Sequence, residues 1–332
     1  MSTSAPDPAL REHAERSIAV GSKSFAAAAK LFDERTRRSA VMLYAWCRHC
    51  DDVIDGQQAG HDAVSITPQE AQRRLALLQA QTHAVYAGVP ASEPAFAAFA
   101  EVVREHDIPE HNALEHLAGF EMDVLDRRYH TQDDTLQYCY HVAGVVGLMM
   151  ARVMGTHDPR TLDRACDLGL AFQLTNIARD IVEDARIGRC YLPAQWLEEL
   201  NIPLKDLAAP EHRPEVAVLA RRLVDLAEPY YASAQAGLAA LPWRSAWAVA
   251  TAAAVYRQIG IKVVAAGSHA WDTRVSTSKA EKLAAVSQGW WRAVSARWRQ
   301  WPKRSTQLWN RPRPPCAEAL GATPATERAS AS

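Results

Sequence analysis

Four aspartates on two stretches of helical periodicity are the residues of this 332-residue chain best placed to do chemistry. Asp51 and Asp55 lie four apart and so share one helix face, and Arg48 and Tyr44 continue that stripe toward the N-terminus. A second stretch repeats the design, with Gln173, Asn176, Asp180 and Asp184 on one stripe, Leu174, Ile177 and Ile181 beside it, and Arg179 and Glu183 adjacent. Carboxylates at this spacing repel each other by a few tenths of a kcal/mol per pair, so a compensating charge is expected from outside the helix. If the stripes face each other inside a bundle, their oxygens converge where an isolated charge would be very costly. Mg²⁺ answers that need: it takes oxygen ligands, keeps several waters, and is typically held by one or two carboxylates plus substrate phosphates. One such stripe alone is more often a solvated helix face or a cap. Two of the same geometry, each beside an arginine and an amide or phenol, point to a diphosphate site bridged by metal.

Other motifs carry less. The run Gly21, Ser22, Lys23, Ser24, Phe25 offers hydroxyls, backbone donors and a cation that could close over a phosphate, or it is an ordinary N-cap with a solvated lysine. Tyr256, Arg257, Arg274, Lys279 and Lys282 add phenol and cationic groups late in the chain. Cys47 and Cys50 form a CxxC with no second pair, within a helix, which suits packing better than zinc. His49 and His141 are read as structural. The glycines of the 144–147 run, Gly144 and Gly147, lack the strand and turn of a nucleotide loop, so close helix packing explains them better.

The elements that must position these residues are helices. Hydrophobic residues make up 48% of the chain, glycine occupies only 15 positions, and strand-like alternation is hard to find. Clusters of Gly, Pro, Asn and Asp divide the chain into about eight to ten helices. No break has the length of an interdomain linker, so one all-α domain over residues 19–290 is expected, with an arm at 1–18 and a basic, Trp-rich and then Pro-rich, disordered tail at 291–332. A net charge of −1 provides no global attraction for nucleic acid. Six scattered cysteines fit a reducing, cytoplasmic setting. Charged residues from Asp7 to Glu15 interrupt any signal peptide, and the longest apolar runs, 142–151 and 246–256, fall short of the roughly 18–20 residues of a membrane span.

Taken together these residues resemble the squalene and phytoene synthase family, and most closely its bacterial phytoene synthase members, from about Ala19 to Leu283. Leu168, Gly169, Gln173, Asn176, Arg179, Asp180, Asp184, Arg189, Tyr191 and Pro193 satisfy one of that family's signatures. Tyr138 through Val142, Gly144 and Gly147 satisfy the other. The resemblance implies the all-α isoprenoid synthase fold, a bundle around a central active-site cavity. It implies Asp51, Asp55, Asp180 and Asp184 as metal-binding aspartates for Mg²⁺, or Mn²⁺ in its place, supported by Asp52 and Asn176. Ser22, Ser24, Tyr44, Arg48, Gln173, Arg179, Tyr191, Tyr256 and Arg274 fall where members contact diphosphate or order a closing flap, and Tyr138 where they line the reaction chamber. The implied reaction is head-to-head condensation of two geranylgeranyl diphosphates, through prephytoene diphosphate, to phytoene, the first committed step of carotenoid biosynthesis, with no NADPH. A thirty-carbon synthase using farnesyl diphosphate and a non-catalytic assembly protein are the alternatives.

A hydrocarbon product must reach a membrane. Trp290, Trp291, Trp298, Trp301 and Trp309 interleave with Arg292, Arg297, Arg299, Lys303 and Arg304, with no acidic residue among them. This reads either as an interfacial segment, limited by Pro302 to a helix over 290–301, or as a last helix packed on the bundle. A peripheral site on the inner membrane and contact with other carotenoid-pathway enzymes are the partner candidates.

Overall fold

The computed structural model describes residues 8–21, 23–56 and 67–313. Among them are thirteen α-helices and no strand: α1 (Pro8–Gly21), α2 (Lys23–Ala29), α3 (Glu34–Asp55), α4 (Pro68–Tyr86), α5 (Pro94–His106), α6 (Glu110–Val124), α7 (Gln132–Cys139), α8 (Val145–Val153), α9 (Pro159–Arg186), α10 (Ala194–Glu199), α11 (Arg213–Gly237), α12 (Trp243–Ala266) and α13 (Lys279–Ser295). The count exceeds the expected eight to ten because several helices are separated without glycine or proline. Asp33 starts α3 by accepting from the Thr36 N–H at 3.0 Å, and Thr131 starts α7 through a reciprocal capping box with Asp134.

The two functional helices end where their local sequence dictates. Gly56, at φ 64°, terminates α3 immediately after Asp55. Asp158 and Pro159 open α9, the Asp158 carboxylate accepting from Thr161 N–H at 2.9 Å, and α9 then runs unbroken for 28 residues to Arg186. Two apolar cores flank the space between these helices. One gathers Trp46, Phe96 and Phe99 with Leu43 and Leu117, and Trp46 stacks on Phe99 at 4.0 Å between ring centroids. The other packs Leu170, Leu174 and Ile177 of α9 against Leu219 and Leu223 of α11. Each such buried side chain contributes on the order of 1.5–3 kcal/mol.

Glycines set how closely helices approach α9. A Cβ on Gly169 would stand 2.4 Å from the Ala143 carbonyl, and one on Gly147 would stand 2.4 Å from the Ala165 carbonyl, so α8 and its π-helical lead-in Tyr140–Gly144 run antiparallel against α9 at near contact. Gly144 packs on Leu170 and Cys166 in the same seam, the packing role expected of these glycines. Cys50 is fully buried in the core, and His49 sets its ring edge-on to Phe96.

The outer segments differ from the arm and tail read from the sequence. The boundaries at 18/19 and 290/291 fall inside α1 and α13. α1 packs on α3 and α5 through Ala14 and Ile18, which are buried. Beyond α13, residues 296–313 fold back as a strap over α9 and α11. Arg304 makes a two-pronged pair (2.9 and 2.7 Å) with Asp167, which is 1% exposed, while Arg311 reaches Asp163 at 2.8 Å and Leu308 is buried. Of its cations, Arg304 and Arg311 are thus drawn to acids on the outer face of α9. The Pro-rich stretch beyond 313, read as disordered, lies outside the described residues. The continuous helical stretch Trp243–His269 is long and apolar enough by composition to cross a bilayer, contrary to the count made on 246–256, but 56% of its most apolar window is buried as a core helix.

Candidate active site

A cavity of about 330 Å³ lies between the two cores. From α9 it is lined by Thr161, Arg164, Leu168, Gly169, Phe172, Gln173 and Asn176, a single stripe whose ends are about 22 Å apart along the helix axis. From α3 come Ala40, Leu43, Tyr44 and Cys47. Both helices continue beyond the cavity in the same direction, and one turn later each presents its acids: Asp51 and Asp55 on α3, Asp180 and Asp184 on α9. The acids therefore stand at one end, the mouth. Arg164 and Leu241 line the opposite, closed end, where the Arg164 guanidinium holds the strap by donating to the Pro302 carbonyl at 2.8 Å.

The mouth is dense in charge. Arg48 pairs with Asp51 at 2.9 Å and Asp52 at 2.8 Å. Arg179 grips Asp180 with two N–H donors, at 2.8 and 2.5 Å, and Arg274 adds a third contact at 3.0 Å while also pairing with Glu183 at 2.6 Å. Arg189, from the loop after α9, forms an ion pair with Asp55 and so ties the two acidic helices together. Removal from water, reinforced by Asp55, pushes the Asp51 carboxyl up to about 7. Removal from water, reinforced by Asp180, does the same to Asp184. The site is short of positive charge even with four arginines present.

Between mouth and cavity stands an aromatic collar. Phe172 packs on Tyr256 at 4.4 Å, Phe25 on Tyr256 at 5.2 Å and on Phe172 at 5.9 Å, and Tyr44 completes the group at 6.3 Å from Phe25. Burial raises the Tyr44 phenol to about 12, so it stays protonated. Such rings attract a positive charge through their faces.

Of the residues expected from the sequence, Tyr44, Arg48, Asp51, Asp55, Gln173, Asn176, Arg179, Asp180, Asp184, Tyr256 and Arg274 gather at the mouth or collar. Tyr138 and Tyr191 stand beside the mouth, stacked at 4.4 Å, and neither is among the residues lining the cavity. Ser22 lies outside the described residues, and Ser24 falls in the first turn of α2. Phe172, Arg189 and Asp123 were not singled out for chemistry. For Asp123 and Arg189 the signal is a contact between distant segments, which periodicity does not carry. Phe172 offered one available sign, a ring on the same face of α9 as Gln173 and Asn176.

Among the described residues no three His, Cys, Asp or Glu side chains stand close enough to hold a metal by themselves. The donor set nevertheless fits Mg²⁺, which needs only one or two carboxylates when phosphate oxygens supply the rest. The Asn176 side-chain oxygen is buried without a hydrogen-bond partner, an acceptor awaiting a donor or a cation. Asp51 and Asp184, with pKa values raised to about 7, would bind a cation in exchange for a proton.

This carries a pH signature. A carboxyl raised in the folded state gives stability that is complete below its unfolded value of 3.8 and is lost as pH rises through about 7. Asp184→Asn removes that titration. In metal-free protein it should raise the melting temperature at pH 8 and by clearly less at pH 5, as thermal unfolding at the two pH values will measure.

The comparisons agree with this geometry. The sequence model of the squalene/phytoene synthase family matches residues 18–281. A 15-cis-phytoene synthase of Pantoea ananas is 59% identical over 306 residues, covering 92% of this chain and 99% of that protein. One of Enterobacter agglomerans is 61% identical over 293 residues, covering 88% and 99%. Among solved structures, a dehydrosqualene synthase in complex with ligand superposes with a TM-score of 0.77 at 26% identity, covering 86% of this chain and 97% of that one. With thirteen helices among its described residues, an apolar cavity and two facing aspartate stripes, the chain belongs to the squalene/phytoene synthase family.

Proposed function

We propose that this protein is a prenyltransferase that condenses two geranylgeranyl diphosphates head to head, through prephytoene diphosphate, to phytoene, a product that relatives named 15-cis-phytoene synthase support. The observation that supports this most is the junction of a charged mouth with an apolar cavity through an aromatic collar. Ionisation of an allylic diphosphate and protection of the resulting cation need those two environments side by side.

The chain's own residues divide the work. Arg48, Arg179, Arg189 and Arg274 neutralise the carboxylates, and they can turn their N–H donors to diphosphate oxygens, a charge-assisted contact that guanidinium makes well. Asp51, Asp55, Asn176, Asp180 and Asp184 would hold Mg²⁺, or Mn²⁺ in its place, whose positive charge stabilises the leaving diphosphate. Phe25, Tyr44, Phe172 and Tyr256 face the developing carbocation with their π-systems. The cavity wall excludes the water that would quench it. Attack by the second substrate's double bond, with loss of a proton, closes the cyclopropane ring of prephytoene diphosphate. A second ionisation, rearrangement and loss of another proton give the hydrocarbon, and because the last cation loses a proton rather than gaining a hydride, NADPH has no part. The catalytic unit is the 19–290 region together with α1 and the strap.

Incubation with Mg²⁺ and either geranylgeranyl or farnesyl diphosphate, each with and without NADPH, tests the proposal by product chromatography. Phytoene from the first donor, independent of NADPH, is expected. A thirty-carbon product or no turnover would overturn it. Asp51→Ala, Asp55→Ala, Asp180→Ala and Asp184→Ala should each cut turnover by about a hundredfold or more with helical content intact, while Glu183→Ala, at an exposed position off the stripe, should matter far less.

The protein is proposed to work in the cytoplasm, peripherally on the inner membrane. Trp290, Trp291 (63% exposed) and Trp298 (82% exposed) stand out from α13 and the turn after it, beside Leu283. Trp301 and Trp309 turn inward, Trp301 donating to the Ala296 carbonyl at 3.0 Å and Trp309 packing on Tyr140. Truncating this region would leave Asp167 buried without the Arg304 charge that pairs with it, which costs roughly 3–5 kcal/mol, so point changes are the cleaner probe. Replacing Trp290, Trp291 and Trp298 together by serine should abolish salt-sensitive flotation with anionic vesicles and leave solution turnover intact.

A further inference from the structure

Asp123 belongs to neither aspartate stripe. It sits at the end of α6, on a third helix, yet it shares the electrostatic field of the mouth. Removal from water raises its pKa to about 6, Arg189 beside it lowers it, Asp55 raises it, and Asp123 in turn raises that of Asp184. Its two oxygens are both engaged. Oδ1 accepts from the Tyr191 hydroxyl at 3.1 Å and Oδ2 from the Tyr138 hydroxyl at 3.3 Å. The two rings stack at 4.4 Å with 16° between their planes, and Tyr129 packs against both at 5.4 and 5.9 Å.

The scaffold under this cluster is rigid. Thr135, fully buried, donates its hydroxyl to the Tyr191 carbonyl at 2.9 Å, and the Ala194 N–H donates to the Tyr129 carbonyl at 2.8 Å. The loop that delivers Arg189 to Asp55 is therefore fastened to α7 at Tyr191 and to the α6–α7 connection at Ala194. A carboxylate accepting two phenol protons also fixes what those phenols can do. Each O–H is committed, so each oxygen meets any other neighbour only as an acceptor, more electron-rich than a free phenol, and neither can give its proton away.

We propose that Asp123 is a positioning residue of the active site: by holding the Tyr138 and Tyr191 hydroxyls it presents both phenol oxygens as electron-rich acceptors beside the mouth, while the Arg189 loop is held by the Thr135 and Ala194 contacts, which do not involve Asp123. The inference rests on the prenyltransferase reading. The groups that stabilise the cationic transition state are then set by a helix that carries no metal ligand, and loss of Asp123 slows the chemical step without loosening the diphosphate grip.

Asp123→Asn keeps the shape and one acceptor but loses the charge. It should lower kcat by about 10–100-fold, the range seen when an outer partner of a reactive group is removed. KM should stay within about twofold, because no diphosphate contact is touched. Tyr191→Phe preserves the ring stack and removes one donor, and it serves as the independent probe should Asp123→Asn fail to fold. It too should lower kcat with KM unchanged. The double variant should be no slower than the slower single one, since both changes break the same contact. In the ultraviolet, Asp123→Asn should remove the tyrosine difference signal of a phenol bonded to carboxylate. Measurements use whichever prenyl diphosphate the parent protein turns over, so an error in substrate assignment leaves this test standing. A kcat within about twofold of the parent in the folded variants, a rise in KM alone, or multiplicative losses in the double variant would overturn the proposal.

Discussion

The structure depends on negative charge held at the edge of an apolar space. α3 and α9 run in the same direction, each apolar along the cavity and acidic beyond it, so their carboxylates meet where water is already being excluded. Nothing in a hydrocarbon-lined bundle favours that arrangement, and it stands because arginines from four places neutralise it: Arg48 on α3, Arg179 on α9, Arg189 in the following loop and Arg274 before α13. The balance is incomplete: removal from water, reinforced by the neighbouring carboxylates and only partly offset by the arginines, raises Asp51 and Asp184 to about 7. A site left short of positive charge is one prepared to receive it.

The rest of the fold serves to keep that junction in place and dry. Glycines at 144, 147 and 169 let α8 close on α9 at near contact, which seals one wall of the cavity with backbone. α11 runs antiparallel along the other side of α9, Tyr231 and Thr175 sharing a buried hydrogen bond at 2.9 Å. The strap after α13 fastens the closed end: Asp167, Ser233 and Arg304 form one buried network, and Arg164 joins it by donating to the Ser233 hydroxyl at 3.0 Å. Buried charge therefore appears at both ends of α9. At the closed end it is paired and hydrogen-bonded, as a structural role requires. At the mouth it is only partly compensated.

Much of this was legible in the sequence, because helix geometry converts spacing directly into direction. Asp51 with Asp55 and Asp180 with Asp184 had to share faces, and Gln173 and Asn176 had to point the same way as the second pair. What the spacing could not supply was the meeting of distant segments. Arg189 reaches Asp55 across 134 positions, and Tyr191 reaches Asp123 across 68. Likewise, the pairing of Arg304 with Asp167 and of Arg311 with Asp163 was out of reach, because those acids lie on the outer face of a helix read only for its inner one. In the Trp-rich segment Trp301 and Trp309 pack inward while Trp290, Trp291 and Trp298 are exposed.

If charge deficit is what prepares the mouth, metal and diphosphate should each create the other's site. Calorimetric titration of Mg²⁺ into the protein, alone and with a non-ionisable prenyl diphosphate analogue present, measures this directly. Coupled binding is reciprocal, so the account predicts weak Mg²⁺ binding alone, binding tighter by about tenfold or more with the analogue, and the same factor when the order is reversed. Equal Mg²⁺ affinity with and without the analogue would contradict it.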